Sequence, residues 1–506
     1  MFQKVLIANR GEIAIRIIRA CRQMGIDDVV VYSDVDAGAM HVRVANEAYN
    51  IGPAPANQSY LRGDKLIEVA QQCGADAIHP GYGFLAENWQ FAQAVTDAGL
   101  TFIGPPAEAI RSLGDKLEAR QLMEAAGVPT VPGGPVDPTD FKSAAKLAAK
   151  CGYPVLVKAV AGGGGKGMRV VEREADLAAA LQRAGSEAKS AFGDDRVYLE
   201  KYLVKPRHIE VQIACDKQGN AVYLGEREGS IQRRHQKLIE EAPSVAVDEK
   251  LRQQMGKIAV TGALAAGYAN IGTVEFLVDQ KKNFYFLEVN TRLQVEHPVT
   301  ELVTGIDLVR EQINLAAGKP LSFAQDDIKI SGHAIECRIC AEDPESDFMP
   351  STGELVSYRE PSGPGVRVDS GVRQGSAVTP YYDPLVAKLI TYGADREEAI
   401  KRMLSALSEY GICGVTTTIG FHDSVLRLDS FLKGELSTAF IPEHFPDGFV
   451  NAPLTGDDSR AVAVAAALFH FHESRRLRQI KPDKSGSHWL TQARRAGIEK
   501  LPGGRW

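Results

Sequence analysis

The chain has 506 residues, too many for a single hydrophobic core, and its 44% apolar and 24% charged fractions are those of an ordinary folded protein. A net charge of −6, from 58 basic and 64 acidic residues, excludes a global field that gathers nucleic acid or anionic membrane. Seven scattered cysteines, an odd number, argue against a disulfide framework and for a reducing compartment.

The N-terminus runs straight into a strand-like apolar stretch and lacks the charged start and cleavage site of a secretory leader. No run of about 18 apolar residues is present, so a cytoplasmic protein with no membrane partner is expected. The first hundred or so residues alternate strand and helix. Strands are expected at 5–8, 28–32, 75–78 and 101–103, and Ile13, Ile17, Ile18 and Cys21 recur at helical spacing after Gly11. Alternation of this kind implies a parallel sheet with helices on its faces. The first strand-to-helix turn, Asn9-Arg10-Gly11-Glu12, lacks G-x-G-x-x-G, which disfavours a nicotinamide site. A second glycine turn, His79-Pro80-Gly81-Tyr82-Gly83, also follows a strand, where such sheets often face a ligand.

Residues 129–138, rich in Pro and Gly, read as a linker. A small unit follows: helix 141–151, strand 153–158, a glycine loop, strand 168–171, helix 175–191 and strand 197–201. The loop, Gly162-Gly163-Gly164-Gly165-Lys166-Gly167, matches neither the Rossmann pattern, which needs a helix next, nor the P-loop spacing. What remains is a strand–loop–strand hairpin whose bare backbone can approach phosphates, with Lys158 and Lys166 at hand to neutralise them. A surface loop without a ligand is the alternative.

The strongest local signal is Phe286 to Glu296. Glu288, Asn290, Arg292, Gln294 and Glu296 recur with period two, so an extended chain points all five one way. The stretch 272–290 reads as a hairpin about the polar turn 279–283, which brings Glu275 opposite Glu288. Two carboxylates and the Asn290 amide suit Mg²⁺ (or Mn²⁺). Arg292 near Glu296 sets an anion holder beside a potential base. The competing reading is the solvated face of an edge strand.

Gln232-Arg233-Arg234-His235-Gln236-Lys237 is basic but has no interleaved aromatic, so an anion-binding loop is preferred to nucleic acid, and a solvated loop stays open. A strand at 332–340 places His333, Ile335, Cys337 and Ile339 on one face and Glu336 and Arg338 on the other. That face reading outranks a zinc site at Cys337 and Cys340, and Arg338 is either functional or a structural ion pair. A strand at 385–391 and an amphipathic helix at 395–407 follow. After about residue 449 come a break at Asn451-Ala452-Pro453, an Ala-rich helix at 459–472 and a basic segment at 475–478.

These stretches, taken in order over roughly residues 1–450, resemble the biotin carboxylase branch of the ATP-grasp enzymes. The matching residues are Ile7 to Ala14, His79 to Asn88, Gly114-Asp115-Lys116, the glycine loop and Glu200-Lys201-Tyr202. His208-Ile209-Glu210, Arg233 to Lys237, Glu288 to Pro298 and Glu336-Cys337-Arg338 complete the set. The resemblance implies α/β and α+β architecture: a Rossmann-like N-terminal domain (1–113), a linker (114–134), an ATP-grasp lid (135–203), a C-terminal α+β domain (204–450) and a helical extension (451–506).

It also implies roles. Lys116, Lys158, Gly163, Gly164, Gly165, His208, Gln232 and His235 would meet ATP, and Glu200, Lys201 and Leu203 would line the adenine pocket. Glu275, Glu288 and Asn290 would hold Mg²⁺. Lys237, Arg292, Gln294 and Val295 would surround bicarbonate, Glu296 would be its base, and Arg338 would stabilise the biotin enolate. One departure stands out: Gly229 occupies a position where the family commonly has Cys. With no Met-Lys-Met stretch, biotin is expected on a separate carrier protein. A homodimer is implied too, and so is a partner with carboxyltransferase activity. The final acceptor, acetyl-CoA, another acyl-CoA or pyruvate, would be chosen by that partner. Another ATP-grasp ligase that activates a small carboxylate, or a regulatory protein that only binds nucleotide, are the competing functions. The resemblance also likens the Ala-rich tail with Trp489 to a segment that follows the carboxylase part in larger chains.

Overall fold

The structure, a computed structural model, describes residues 1–159, 168–192, 196–451, 460–468 and 470–471. It contains two compact units, Met1–Phe449 and Val450–Trp506. In the second, residues 460–468 and 470–471 are helical and solvent-facing; Trp489 and the basic segment lie outside the described residues. Among the described residues, no helix is long and apolar enough to cross a membrane.

The first unit opens with β1 (Lys4–Ile7), α1 (Gly11–Gln23), β2 (Asp27–Ser33), β3 (Glu47–Gly52), β4 (Ala77–His79) and β5 (Thr101–Phe102). They form a parallel sheet in the order β3-β2-β1-β4-β5. Helix α1 buries Ile13, Ile17, Ile18 and Cys21, the residues at helical spacing. Each buried isoleucine contributes roughly 1.5–3 kcal/mol over an exposed one. The turns after β1 and β4 are tied together: Asn9 Nδ2 donates to Pro80 O and Tyr82 O, each at 2.7 Å.

The span read as a linker is structured. Helix α2 (Lys116–Ala125) begins at Asp115, whose carboxylate accepts from the Leu117 and Glu118 amides, and it buries Ala119 and Met123. The cap pattern Asp115-x-x-Glu118 is its signal in the sequence, and the Pro/Gly composition that suggests a linker starts only at Pro129. Within that Pro/Gly stretch lies β6 (Gly133–Val136), the edge of the small sheet. An edge strand tolerates Pro135, which has no amide to donate.

The small sheet runs β6-β9-β7-β8, with β7 (Val155–Ala159), β8 (Arg169–Val171) and β9 (Val197–Lys201). Strands β7 and β8 pair antiparallel, as the hairpin reading requires. The glycines 163, 164 and 165 between them lie outside the described residues. Helices α3 (Phe141–Cys151) and α4 (Leu177–Phe192) cover the sheet.

The largest sheet has eight antiparallel strands: β10 (Arg207–Cys215), β11 (Ala221–Arg233), β12 (Gln236–Ala242), β13 (Asn270–Val278), β14 (Phe284–Asn290), β15 (His333–Cys340), β16 (Val366–Ser370) and β17 (Leu385–Gly393). Their order is β14-β13-β10-β11-β12-β15-β17-β16. Helix α5 (Glu249–Ala265) packs on β10 and β11, and α6 (His297–Thr304) on β11, β12, β15 and β17. On β15, Ile335, Cys337 and Ile339 enter the core while Glu336 and Arg338 take the opposite face, as alternation dictates.

Gly133 lies opposite Glu200 in the β6–β9 register, and a Cβ there would stand 2.4 Å from Leu199 O and 2.7 Å from Glu200 Cβ. Gly133→Val should cost about 1–3 kcal/mol in urea unfolding and displace β9. A raised ADP Kd in the folded variant checks that β9 carries part of a nucleotide pocket.

Candidate active site

A cleft of about 1480 Å³ lies between the small sheet and the eight-stranded one. Every described residue expected to act lines it: Lys116 on α2, Lys158 on β7, Glu200 and Lys201 on β9, and Leu203 just beyond. His208, Gln232, His235 and Lys237 come from β10–β12, Glu275, Glu288 and Asn290 from β13 and β14, and Arg292, Gln294, Val295 and Glu296 from the segment after β14. Arg338 comes from β15.

The centre is a row of charges set by register. Arg227 faces Glu210, Glu210 faces Glu275, and Glu275 faces Glu288 across four adjacent strands. Like charges directly opposite repel, so carboxylates in such a row need a cation. Lys237 supplies it. Its Nζ donates to Glu275 Oε1 and Glu296 Oε1, each at 2.8 Å, and to Glu210. Burial works against this ammonium, but the three carboxylates raise it well above the usual lysine range. Arg227, fully buried, donates to Glu210, Gln212, Thr273, Gln294 and Thr300. Removing one partner from such a group strands buried charge, which costs about 3–5 kcal/mol.

Glu275 is held mainly through one oxygen. Oε1 also accepts from Asn290 Nδ2 at 2.9 Å and Gln294 Nε2 at 2.8 Å, and Oε2 lies 3.0 Å from His208 Nε2. Burial opposes its ionisation, yet Lys237 and His208 hold it well below the usual carboxylate range. Glu288, by contrast, opens to the cleft. The paired carboxylates of Glu275 and Glu288 form an oxygen donor set that fits a hard divalent cation. Asn290 turns its amide oxygen to Arg292 Nη2, 2.9 Å away. The donor atoms of His208, Glu210 and Glu275 also lie within 4.8 Å of one another, with the Lys237 ammonium among them.

The period-two face ends where β14 ends. Residues 291–296 leave the strand, and Glu296 is the N-cap of α6. Arg292, Gln294 and Glu296 reach the cleft through irregular backbone, and Arg292 is not hydrogen-bonded to Glu296, as the surface reading would have had it. Arg292 donates to Glu87 Oε2 at 2.9 Å instead. Glu296 is held between Lys237 and Arg338, whose Nη2 lies 2.9 Å from Oε2. Burial again opposes ionisation, but Lys237, Arg338 and Arg227 keep this carboxyl well below its usual range.

Two lysines of the cleft are engaged within the protein. Lys158 Nζ donates to Glu200 Oε1 at 2.8 Å. Lys201 Nζ donates to Gly152 O at 2.7 Å and Tyr153 O at 3.1 Å, fastening the turn before β7. Sequence reasoning misses Glu87, Glu210, Arg227 and Glu240. Glu210 has a signal, two residues from His208 on one strand; Arg227 and Glu240 are brought in by strand pairing, and Glu87 by a loop that meets Arg292.

Arg338 Nε donates to Glu240 Oε1 at 2.6 Å. Burial pushes the Glu240 carboxyl up to about 7, with Arg338 pulling it down and Glu296 pushing it up. A carboxyl raised on folding favours the folded state at low pH, and that advantage is lost as pH rises through the folded value. Glu240→Gln should therefore flatten part of the fall in melting temperature as pH rises through about 7, measured by thermal scans across that range.

The chain matches known proteins along most of its length. The family described as the N-terminal domain of biotin carboxylase matches residues 1–110, the ATP-binding domain of the carbamoyl-phosphate synthase L chain matches 115–324, and the C-terminal domain of biotin carboxylase matches 336–443. The mitochondrial propionyl-CoA carboxylase alpha chain of Homo sapiens is 51% identical over 95% of this chain and 68% of its own length. Biotin carboxylase 1 of Bacillus subtilis is 52% identical over 87% of this chain and 98% of its own length. The biotin carboxylase domain of Hydrogenobacter thermophilus 2-oxoglutarate carboxylase, solved as a dimer with MgADP, ADP and bicarbonate, is 47% identical. It covers 90% of this chain and 100% of its own, with a TM-score of 0.84.

Proposed function

The chain belongs to the biotin carboxylase family, and from that premise we propose how its cleft works. It is an ATP-dependent biotin carboxylase, performing the biotin-carboxylating half-reaction of a biotin-dependent carboxylase. The observation that carries the site reading is the Lys237 ammonium shared by Glu210, Glu275 and Glu296, with Arg338 on the far side of Glu296.

ATP lies between the two sheets, its adenine against Glu200, Lys201 and Leu203. Lys116, Lys158 and His208 meet its phosphates or ribose, and Gln232 and His235 contact it nearby. Lys158 leaves Glu200 to do so, since a polyphosphate is the stronger anion. Bound Mg²⁺, held by Glu275 and Glu288 with Asn290 nearby, would neutralise charge on the polyphosphate.

Bicarbonate sits among Lys237, Arg292, Gln294 and Val295. It competes with Glu296 for Lys237, which loosens that carboxylate's pairing and raises its proton affinity toward the range a base needs. Glu296 takes the bicarbonate proton while the bicarbonate oxygen attacks the γ-phosphorus and the bond to ADP breaks. The carboxyphosphate so formed gives CO₂ and phosphate; phosphate takes the biotin N1′ proton, and Arg338 holds the enolate that attacks CO₂. Closure of the small sheet over the cleft keeps carboxyphosphate from water. The biotin arrives on a carrier protein, the chain works as a homodimer, and a carboxyltransferase partner chooses the acceptor.

ADP release with Mg-ATP should require bicarbonate and rise with biotin. Release driven by bicarbonate but indifferent to both free and carrier-bound biotin would point to another ligase. Glu296→Ala should lower bicarbonate-dependent turnover at least about hundredfold while the ATP Kd stays within about twofold; unchanged turnover removes its role as base. Lys237→Gln should raise the KM for bicarbonate, read from the same ADP assay.

A further inference from the structure

We infer that Lys388 is a positioning residue for this reaction: its buried ammonium fixes the main chain that carries Glu296. The inference rests on the bicarbonate-base reading above and adds a residue that reading does not use.

Lys388 stands in the middle of β17 with no exposed surface. In register it lies between Arg338 of β15 and Asp369 of β16, so the three side chains share one face of the sheet. Arg338 grips the Glu296 carboxylate, while Lys388 Nζ donates to the carbonyl of Val295, 2.8 Å away. Two neighbouring cations thus hold one dipeptide, one by its side chain and one by its backbone.

That grip matters because residues 291–296 belong to no strand or helix. Ladder hydrogen bonds do not set their conformation, so side chains must. Val295 and Glu296 are also the residues assigned to bicarbonate, where a displacement near 1 Å can cost about a hundredfold in rate.

The ammonium is itself fixed from the N-terminal sheet. Glu12 Oε1, in the first turn of α1, lies 3.2 Å from Lys388 Nζ and also accepts from the Tyr82 hydroxyl. Asp369 Oδ2 stands 3.8 Å away. The turns after β1 and β4, bound to each other by Asn9, therefore reach Val295 through this lysine, while Glu87 meets Thr291 and Arg292 at the start of the same segment.

Lys388→Met alone leaves Glu12 buried without its cation, so folding and function would fall together. The informative variant is Glu12→Gln/Lys388→Met, which removes both charges, compared with Glu12→Gln alone. Melting temperature, ATP KM and bicarbonate kcat/KM are measured on the full chain by bicarbonate-dependent ADP release. The expected result is a bicarbonate kcat/KM at least about tenfold lower in the double variant than in Glu12→Gln. The ATP KM should stay within about twofold, and the melting temperature should match. Equal bicarbonate kcat/KM in the two variants overturns the inference. So does a parallel loss of ATP and bicarbonate parameters with a lowered melting temperature, which marks a purely structural role. Wild-type protein without bicarbonate-dependent release would sink the underlying reading, and the inference with it.

Discussion

One ammonium shared by three carboxylates organises this molecule. Glu210, Glu275 and Glu296 are buried together, and Lys237 is the cation that offsets the repulsion among all three. The demand propagates outward. Arg227 must back Glu210 from below, and Arg338 must take the second oxygen of Glu296. Gln294 spans between Arg227 and Glu275. The strand-borne partners Glu210, Arg227, Lys237, Glu275 and Arg338 come from five different strands, so the sheet has to close in one register for the charges to balance.

Much of this is legible in the residue pattern, and for a definite reason. Strand alternation and a polar turn are local, so the hairpin that sets Glu275 opposite Glu288 can be read before any coordinates. The β15 faces follow in the same way. The period-two argument fails beyond Asn290, because irregular backbone can deliver side chains to one place without alternating. The Arg292–Glu87 contact joins residues 205 positions apart. No local rule anticipates such a partner, and Arg227 and Lys388 are hidden by the same long-range pairing. The helix at Lys116–Ala125 is a different miss: its cap signature is present in the sequence, but the Pro and Gly that follow it draw the eye to a linker.

The small sheet balances its cleft-facing charge within itself. Its cleft-facing lysine, Lys158, rests on Glu200 of the same sheet, while Lys201 fastens the turn that precedes β7. The unit thus carries its own internal counter-charge, and a polyphosphate can exchange one partner without leaving a bare buried charge behind. In the large sheet Glu275 has a hydrogen-bonding or charged partner at each oxygen before any substrate arrives.

Gly229 makes room for the lysine at the centre of this arrangement. A Cβ at that position would stand 2.9 Å from Cδ of Lys237, so the lysine stem crosses β11 where a side chain would otherwise lie. A side chain at 229 would therefore require the Lys237 stem to shift, so the residue at this position and the path of the shared ammonium are coupled. Packing on one strand thus bears on the position of a charge carried by the next.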